Sequence, residues 1–535
     1  MMNRRALCTK LTKLPLRRLS LAIAAITCSA SALALPTVHF DNGLSLQSQV
    51  TANYTISTRT GSANSAYLKA PNNDDGTRNF NKWGLINNRV SVFGEVIARY
   101  ENVGAVLRGS HFYDDVYHQS NRNDSPGTVN KDGYHREFTS KTKDRSGGEA
   151  RLLDAYVFGN FTLGDSKHLS VKAGRHLVAW GESLFWPNIS QGQAPVDATK
   201  FNVPGTEAKD AYLPAGQVSF NLSLNQHVTF TGFWQYKWEE TLLNPVGDFF
   251  GSDFFGPGSE KFISDYGDLT YAGTKKPGDK GQWGLGVRFN PDFNTEIGLY
   301  HYRYHDRVAS MFFDFGGGTQ YSSASDLKNG GPMTYQFKYF EDIKLTGISL
   351  TTKIADSVQV GGDLSLRDGA SVLLDNGAAT TGKIVQANVN AVYVIGPSWL
   401  ANQTTLLGEV VNQRIHSVDT MYVTGGGMDG SYKDYKGAQT KSSSLFGGGV
   451  YMDYPSLFQG WDLTTSAVWT QNIDGSGIQG FGRDEKRLTL GADFTYMQNF
   501  SVGATWVNFL SSANVDKGRL MADRDHLAIN LKYTL

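Results

Sequence analysis

Cysteine is almost missing from this sequence: 2 among 535 residues, Cys8 and Cys28. Both lie in an N-terminal stretch that reads as a removable leader. Beyond it there is no thiol, which excludes disulfides, thiolate zinc sites and a cysteine nucleophile. Proline is scarce, at 15 residues, whereas disordered chains are commonly rich in it. Charged residues make up 19% of the chain, below the ~25% of ordinary domains. Neither sign dominates, with 50 Lys+Arg and 50 Asp+Glu, so nothing suggests a nucleic-acid partner. The mean hydropathy of -0.33 has the wrong sign for a bundle of membrane helices. What is abundant is glycine, at 59, with 25 tyrosines and 30 phenylalanines. A glycine-rich, aromatic-rich, moderately polar chain of this length points to β architecture.

Residues 1–34 have the build of a secretory signal peptide. Arg4, Arg5, Lys10, Lys13, Arg17 and Arg18 form a basic start without an acid, Leu19 to Ile26 an apolar run, and Ala32-Leu33-Ala34 a small-x-small cleavage pattern. The apolar run is too short to span ~30 Å of hydrocarbon. Without this leader the chain keeps 44 basic against 50 acidic residues, a net -6.

Period-2 alternation recurs along the rest. Val90, Val92, Val96, Ala98 and Tyr100 alternate with Arg89, Ser91, Glu95 and Arg99. The chain closes on Leu527-Ala528-Ile529-Asn530-Leu531-Lys532-Tyr533-Thr534-Leu535, apolar at every odd position. Strands of ~10 residues with charge on the polar face suit a tilted membrane crossing. The connections alternate strictly, long near 60–84, 114–149, 176–215, 239–281, 306–340, 368–382, 416–441, 472–485 and 510–523, and short between. That parity predicts a transmembrane antiparallel β-barrel of about 18 strands, within about 16 to 20, with long outer loops and short periplasmic turns. Closure leaves no unpaired edge, which hydrocarbon would not tolerate. Tyr54, Tyr100, Trp238, Trp283, Tyr496, Trp506 and Tyr533 are expected in interfacial girdles. Residues 35–535 are read as one barrel domain.

The most distinctive stretch runs from Gly174 to Pro214. It carries Gly174-Arg175 followed by Trp180-Gly181-Glu182, then Pro195-Val196-Asp197, Val203-Pro204-Gly205 and Glu207-Ala208-Lys209; Asn244-Pro245-Val246-Gly247 and Asp253-Phe254-Phe255-Gly256-Pro257-Gly258 follow. These motifs resemble the bacterial family known as domain of unknown function 1302. The resemblance implies an outer-membrane barrel related to porins, discussed alongside export or import of hydrophobic compounds.

Residues 176–215 break strand parity, and Pro187, Pro195, Pro204 and Pro214 exclude a regular strand. A connection of ~40 residues is usually functional. The segment is expected to bulge at Gly174, fold into the lumen and narrow it; a surface lid is the alternative. Inward parity assigns Arg89, Glu95, Arg99, Arg108, Lys172, Arg288 and Arg367 to the lumen wall, with Asp154, Asp363, Arg487 and Asp493. Arg175, Trp180, Glu182, Trp186, Asp197 and Lys209 complete the constriction candidates. Charged walls across a narrow lumen set selectivity. The loop aromatics could line a solute path or form the loop's own small core.

No catalytic, metal or cofactor site is expected. Asp114-Asp115 and His305-Asp306 are adjacent pairs, and adjacent strand residues face opposite sides. Asn72-Asn73-Asp74-Asp75-Gly76 lacks the bidentate Glu of an EF-hand and reads as a solvated turn. The expected function is a porin-like channel or conduit for small solutes, amphipathic or hydrophobic ones among them. Its partners would be outer-membrane lipid, the barrel-assembly machinery and, for a conduit, a periplasmic carrier. The alternatives are a structural or adhesive barrel with a plugged lumen, and one part of a lipid or hydrophobic-compound transport system with periplasmic and inner-membrane partners.

Overall fold

The computed structural model describes residues 37–535 except 193, 201–202, 204–210, 266, 315–332, 376, 424–429, 437–438 and 477–481. The leader therefore lies outside the described residues. Nineteen strands share the main sheet. One is the two-residue Val38–His39, which only lengthens an edge pairing. The other eighteen form a closed antiparallel ring. In chain order they are β1 Leu44–Arg59, β2 Leu85–Tyr100, β3 Val103–Asp114, β4 Gly148–Leu163, β5 Lys167–His176 and β6 Ala215–Ser223. Then come β7 Val228–Gln235, β8 Gln282–Phe289, β9 Thr295–Tyr304, β10 Ile343–Ala355, β11 Val358–Leu373 and β12 Ala379–Ile395. The ring is completed by β13 Gln403–Val418, β14 Ser442–Phe458, β15 Trp461–Asp474, β16 Lys486–Tyr496, β17 Phe500–Phe509 and β18 His526–Thr534. Each pairs with the next, and β18 returns to β1, Thr534 opposite Thr51.

The alternation sorts side chains inside out. Val157, Leu285, Leu299 and Val389 are exposed on the outer face at 58%, 55%, 55% and 66%. On the inner face Gln217, Gln386, Asn388 and Glu409 are buried. Polar residues inside and apolar ones outside reverse a water-soluble protein and suit a wall in hydrocarbon. Among the described residues no helix is long and apolar enough to cross a membrane; the crossing elements are strands.

The strand count expected from the sequence holds, and so does the parity of long and short connections, with one correction. The connection expected near 368–382 is only 374–378, because β11 and β12 run on to Leu373 and from Ala379. Thr380 and Thr381 are β-formers, and the register shift between Asp368 and Ala370 absorbs Gly369 without ending the strand.

Two girdle residues are also corrected. Tyr54 is buried in the middle of β1, its hydroxyl on Asn88 Oδ1 at 2.9 Å. Trp238 is buried in a loop, donating to Asp306 O at 3.1 Å and packed edge-on against Tyr339. Tyr100, Trp283 and Tyr496 do lie exposed on the outer face.

At the long-loop end the first, second, fourth and last long loops (60–84, 115–147, 236–281, 510–525) interlock. Phe80, Tyr117, Phe138 and Phe249 make their shared core. The fourth loop leaves β7 yet reaches β1 and β18: Phe249 stacks under Arg59 and Phe250 lies 5.3 Å from His526. It therefore crosses the mouth of the ring. Asn72–Gly76, expected as a solvated turn, is packed into this dome, with Asp74 and Asp75 buried.

Candidate functional site

The third long loop (177–214) begins where β5 ends. Gly174 has φ +128, and a Cβ there would lie 2.3 Å from Ala155 O, so only glycine fits. The expected bulge at Gly174 is absent: pairing runs unbroken with β4 from Lys167 to Arg175 and with β6 from His168 to His176. The local twist is made by the positive φ instead of an inserted residue. Arg175 pairs with Glu239 and donates to Leu153 O at 3.3 Å, which ties the loop's start to the fourth loop and not to a solute path.

From Val178 to Ile189 the chain lies against inward-facing residues, first of β7 and β9 and then of β11 to β14. Trp180 is buried among Phe233 of β7 and Tyr300 and Tyr302 of β9, with ring centroids 5.0, 5.1 and 6.1 Å away. Gly181 follows with φ +88, and a Cβ there would meet Asp363 Oδ2 at 2.8 Å. Two carboxylates of the wall then bind the loop backbone. Asp363 of β11 accepts from Glu182 N at 2.9 Å and Ser183 Oγ at 2.7 Å. Glu409 of β13 accepts from Leu184 N at 3.2 Å, Phe185 N at 2.7 Å and Trp186 N at 3.1 Å. Three consecutive amides around one carboxylate make a charge-assisted clasp.

Amides of β12 complete the seam. Asn390 Nδ2 donates to Glu182 O at 2.7 Å, Asn388 Nδ2 to Trp186 O at 2.8 Å and Gln386 Nε2 to Pro187 O at 3.0 Å. Asn188 sits between Ser365 and Asn388, and Tyr302 donates to Ile189 O. Trp186 fills a pocket of Val411 and Leu445 on β13 and β14. Room for it exists because Gly447 has no side chain: a Cβ there would lie 2.9 Å from Trp186 Cη2. Trp180 and Trp186, with Phe185 beside the latter, are thus set into the wall, while the fourth loop aromatic, Phe201, lies outside the described residues.

The opposite wall keeps charge. Register slips between Leu107 and Gly109, placing Leu153 and Asp154 opposite Arg108. Arg108 there pairs with Asp154 at 2.8 Å and Glu95 at 3.3 Å. Lys172 lies 5.4 Å from the Tyr156 ring. The remaining sequence candidates are dispersed. Arg89 is buried near the loops, 3.5 Å over Phe112. Arg99 is exposed one residue from the end of β2, at a short turn. Arg288 faces Glu296 at 3.8 Å, and Arg367 donates to Gln386 at 2.7 Å. Asp197 caps its own turn through Thr199 N and Oγ1 at 3.1 and 2.6 Å. Lys209 lies outside the described residues.

The sequence reading put Asp363 on the lumen face but gave it no partner, and missed Glu409, Gln386, Asn388 and Asn390. An acid and three amides on neighbouring strands at parity-inward positions were the available signal. Burial beside Asp363 and Glu296 raises the Glu182 carboxyl above its ordinary range. The adjacent pairs Asp114-Asp115 and His305-Asp306 are used structurally. Asp114 accepts from Asn87 Nδ2 at 2.8 Å and Asn88 N at 3.0 Å. His305 receives Asp342 N at 3.0 Å and faces Lys280 O at 2.8 Å.

Known structures of the same general outline were found at low identity. The Acinetobacter baumannii protein OccAB1 is 9% identical, with TM-score 0.44, covering 94% of this chain and 99% of that one. Pseudomonas aeruginosa OccK9 (OpdG) is 11% identical, with TM-score 0.42, covering 93% and 100%. A BenF-like porin from Pseudomonas fluorescens is 10% identical, with TM-score 0.42, covering 92% and 98%. No curated protein matches the chain by sequence. Residues 16–535 match the family described as Protein of unknown function (DUF1302), and the chain belongs to that family.

Proposed function

We propose that the protein is an outer-membrane channel for small solutes, exported with removal of residues 1–34, in which the third long loop narrows the lumen. One observation carries this reading. Residues 180–189 bond to inward side chains of β11, β12 and β13, while the wall of β2 to β5 opposite keeps Glu95, Arg108, Asp154 and Lys172. A path between a fixed backbone ledge and a charged wall would sort solutes by size and charge. The fourth loop across the mouth favours a gated, substrate-selective conduit over a wide open pore. Lipid on the outer face, a small solute inside and insertion by the barrel-assembly machinery belong to the same proposal, as does a periplasmic carrier if the solute is poorly soluble.

Single-channel recording of the refolded chain in a planar bilayer tests it, with a variant lacking 183–212 alongside. Small steps from the intact chain and larger ones from the variant are expected. Silence from both, with folding verified by heat-modifiable gel mobility, would replace the channel with a structural barrel.

A further inference from the structure

The wall of the ring is not equally high all round. β4 pairs with β3 up to Gly148, but with β5 only as far as Ala155, opposite Arg175. β5 ends one residue later, at His176. Residues 148–153 of β4 therefore present an edge with no strand beside it among the described residues. The strands that follow, β5 to β9, have 8 to 10 residues, against 16 in β4. About 9 to 11 tilted residues cross a membrane, so the low side of the wall stops at the lipid boundary.

A separate four-stranded sheet stands beyond this gap: Lys261–Phe262, Leu269–Lys275, Ser310–Asp314 and Thr334–Lys338. Ser310 Oγ ties it to β11 through Ser371 Oγ at 2.8 Å. Between this sheet and the edge of β4 lies a cavity of about 790 Å³, within the range of about 300–1,000 Å³ usual for small-molecule sites. Gly148, Glu149 and Ala150 line it. Leu152 is exposed on the outer face, so Gly148 and Ala150 share that face and Glu149 takes the other. A cavity lined from both faces of one strand sits on that strand's edge.

The charged side chains of the lining answer one another. Arg145 bonds Glu149 at 3.0 Å, Lys276 bonds Glu240 at 2.9 Å, and Lys141 faces Asp144 at 3.8 Å. Glu260 accepts from Asp132 N at 2.7 Å. The Tyr339 hydroxyl donates to Glu240 at 3.0 Å, and the Tyr271 hydroxyl shares a hydrogen bond of 2.5 Å with Thr274 Oγ1. An occupant is left with ring and aliphatic surface. Tyr271 and Phe255 flank Phe337 at centroid distances of 4.9 and 4.8 Å, and Leu243 and Ala309 extend the same lining. A charge on the ligand would lose its water here and gain no counter-charge in return.

We propose that this gap is a binding site for neutral, ring-bearing apolar solutes at the lipid boundary. A solute dissolved in the outer leaflet would meet its aromatic wall without first crossing the dome. That the occupant is also the transported solute rests on the channel reading above.

The chain beyond residue 34 has no cysteine. Ser140→Cys, at an exposed position of the lining, therefore carries a single environment-sensitive dye. In lipid nanodiscs, naphthol should shift the dye's emission to saturation, and naphthalenesulfonate should bind about tenfold more weakly. Ala150→Trp fills the cavity from the strand edge and Tyr271→Ala removes a ring. Each should weaken naphthol binding about tenfold, with the closed barrel verified by heat-modifiable mobility. Ala150→Trp decides alone if Tyr271→Ala disturbs the small sheet. A linear response without saturation, which is partition into lipid only, would overturn the proposal. Equal binding of the sulfonate, or of naphthol by folded Ala150→Trp, would do the same. Conductance is recorded on the same protein. Steps without saturable binding would remove the site and keep the channel, whereas saturable binding by a silent barrel would keep the site and remove the channel.

Discussion

Glu409 is the side chain on which the third loop most depends. Its carboxylate accepts three consecutive backbone amides and also Asn388 Nδ2 at 3.0 Å. Glu409→Ala leaves buried donors unmade, at about 1–3 kcal/mol each. The expected result is a barrel that still forms but whose segment 180–190 is cut by protease far faster, with noisier and larger conductance steps. Asp248 gives a pH prediction. It is buried in the dome with Ser146, Tyr117 and Phe250 N as partners and Arg524 nearby, and burial holds its carboxyl above the ordinary range. The folded state therefore keeps a proton that the unfolded chain loses near pH ~3.9. Stability from this group is full below that pH and falls as pH rises through the folded value. Asp248→Asn should flatten the fall in loop stability as pH rises above about 3.9 in denaturant titrations; an unchanged slope would assign it to other acids. Residue-level roles were the least legible in the sequence. Parity placed Asp363 on the inner face, but nothing local says that an acid will meet amides about 180 residues away. Trp180 and Trp186 were visible as special, while their sockets, made by Gly447 and by tyrosines of β9, exist only after closure.

The third loop behaves as an element in its own right, with an apolar anchor at each end of a polar seam. Trp186→Ala should remove about 3–5 kcal/mol of local packing. Gly447→Leu would fill the same socket from the wall side, since even a Cβ lies 2.9 to 3.0 Å from Trp186 and Phe185. Both variants are expected to free the loop, and tryptophan emission should shift to the red in Gly447→Leu although no tryptophan has been changed. An unshifted spectrum would show that the wall yields instead. Strands were far more legible than this loop, because a strand half in lipid must alternate and a seam of backbone amides need not. The one misjudged connection, 374–378, shows the limit. Asp368-Gly369 looks like a turn by composition, yet a strand in a closed ring can absorb glycine as a register shift while its neighbours hold it.

For the whole molecule, the proposed channel would carry two barriers in series, the fourth loop at the mouth and the third loop at the waist. Cutting only the waist loop should raise conductance less than cutting both, and the order of the two effects would separate gate from filter. Ring architecture was legible in the period-2 strands together with the parity of their connections, since alternate long and short connections have no reason to persist in a soluble sandwich.

The pairing of β1 with β18 has a consequence for how the ring comes into being. Thr51 and Thr534 meet across 483 positions of chain, and Leu535 exchanges backbone bonds with Val50. Joining ends that distant costs roughly 5 kcal/mol in loop entropy, and every other seam joins consecutive strands. Growth can thus proceed strand by strand, but the two outermost edges stay raw until β1 and β18 pair. A chain lacking His526–Thr534 would be a curled ribbon with both edges open, prone to recruit strands from other chains. Assembly is in this sense timed by one seam: the ring is sealed only when β18 meets β1.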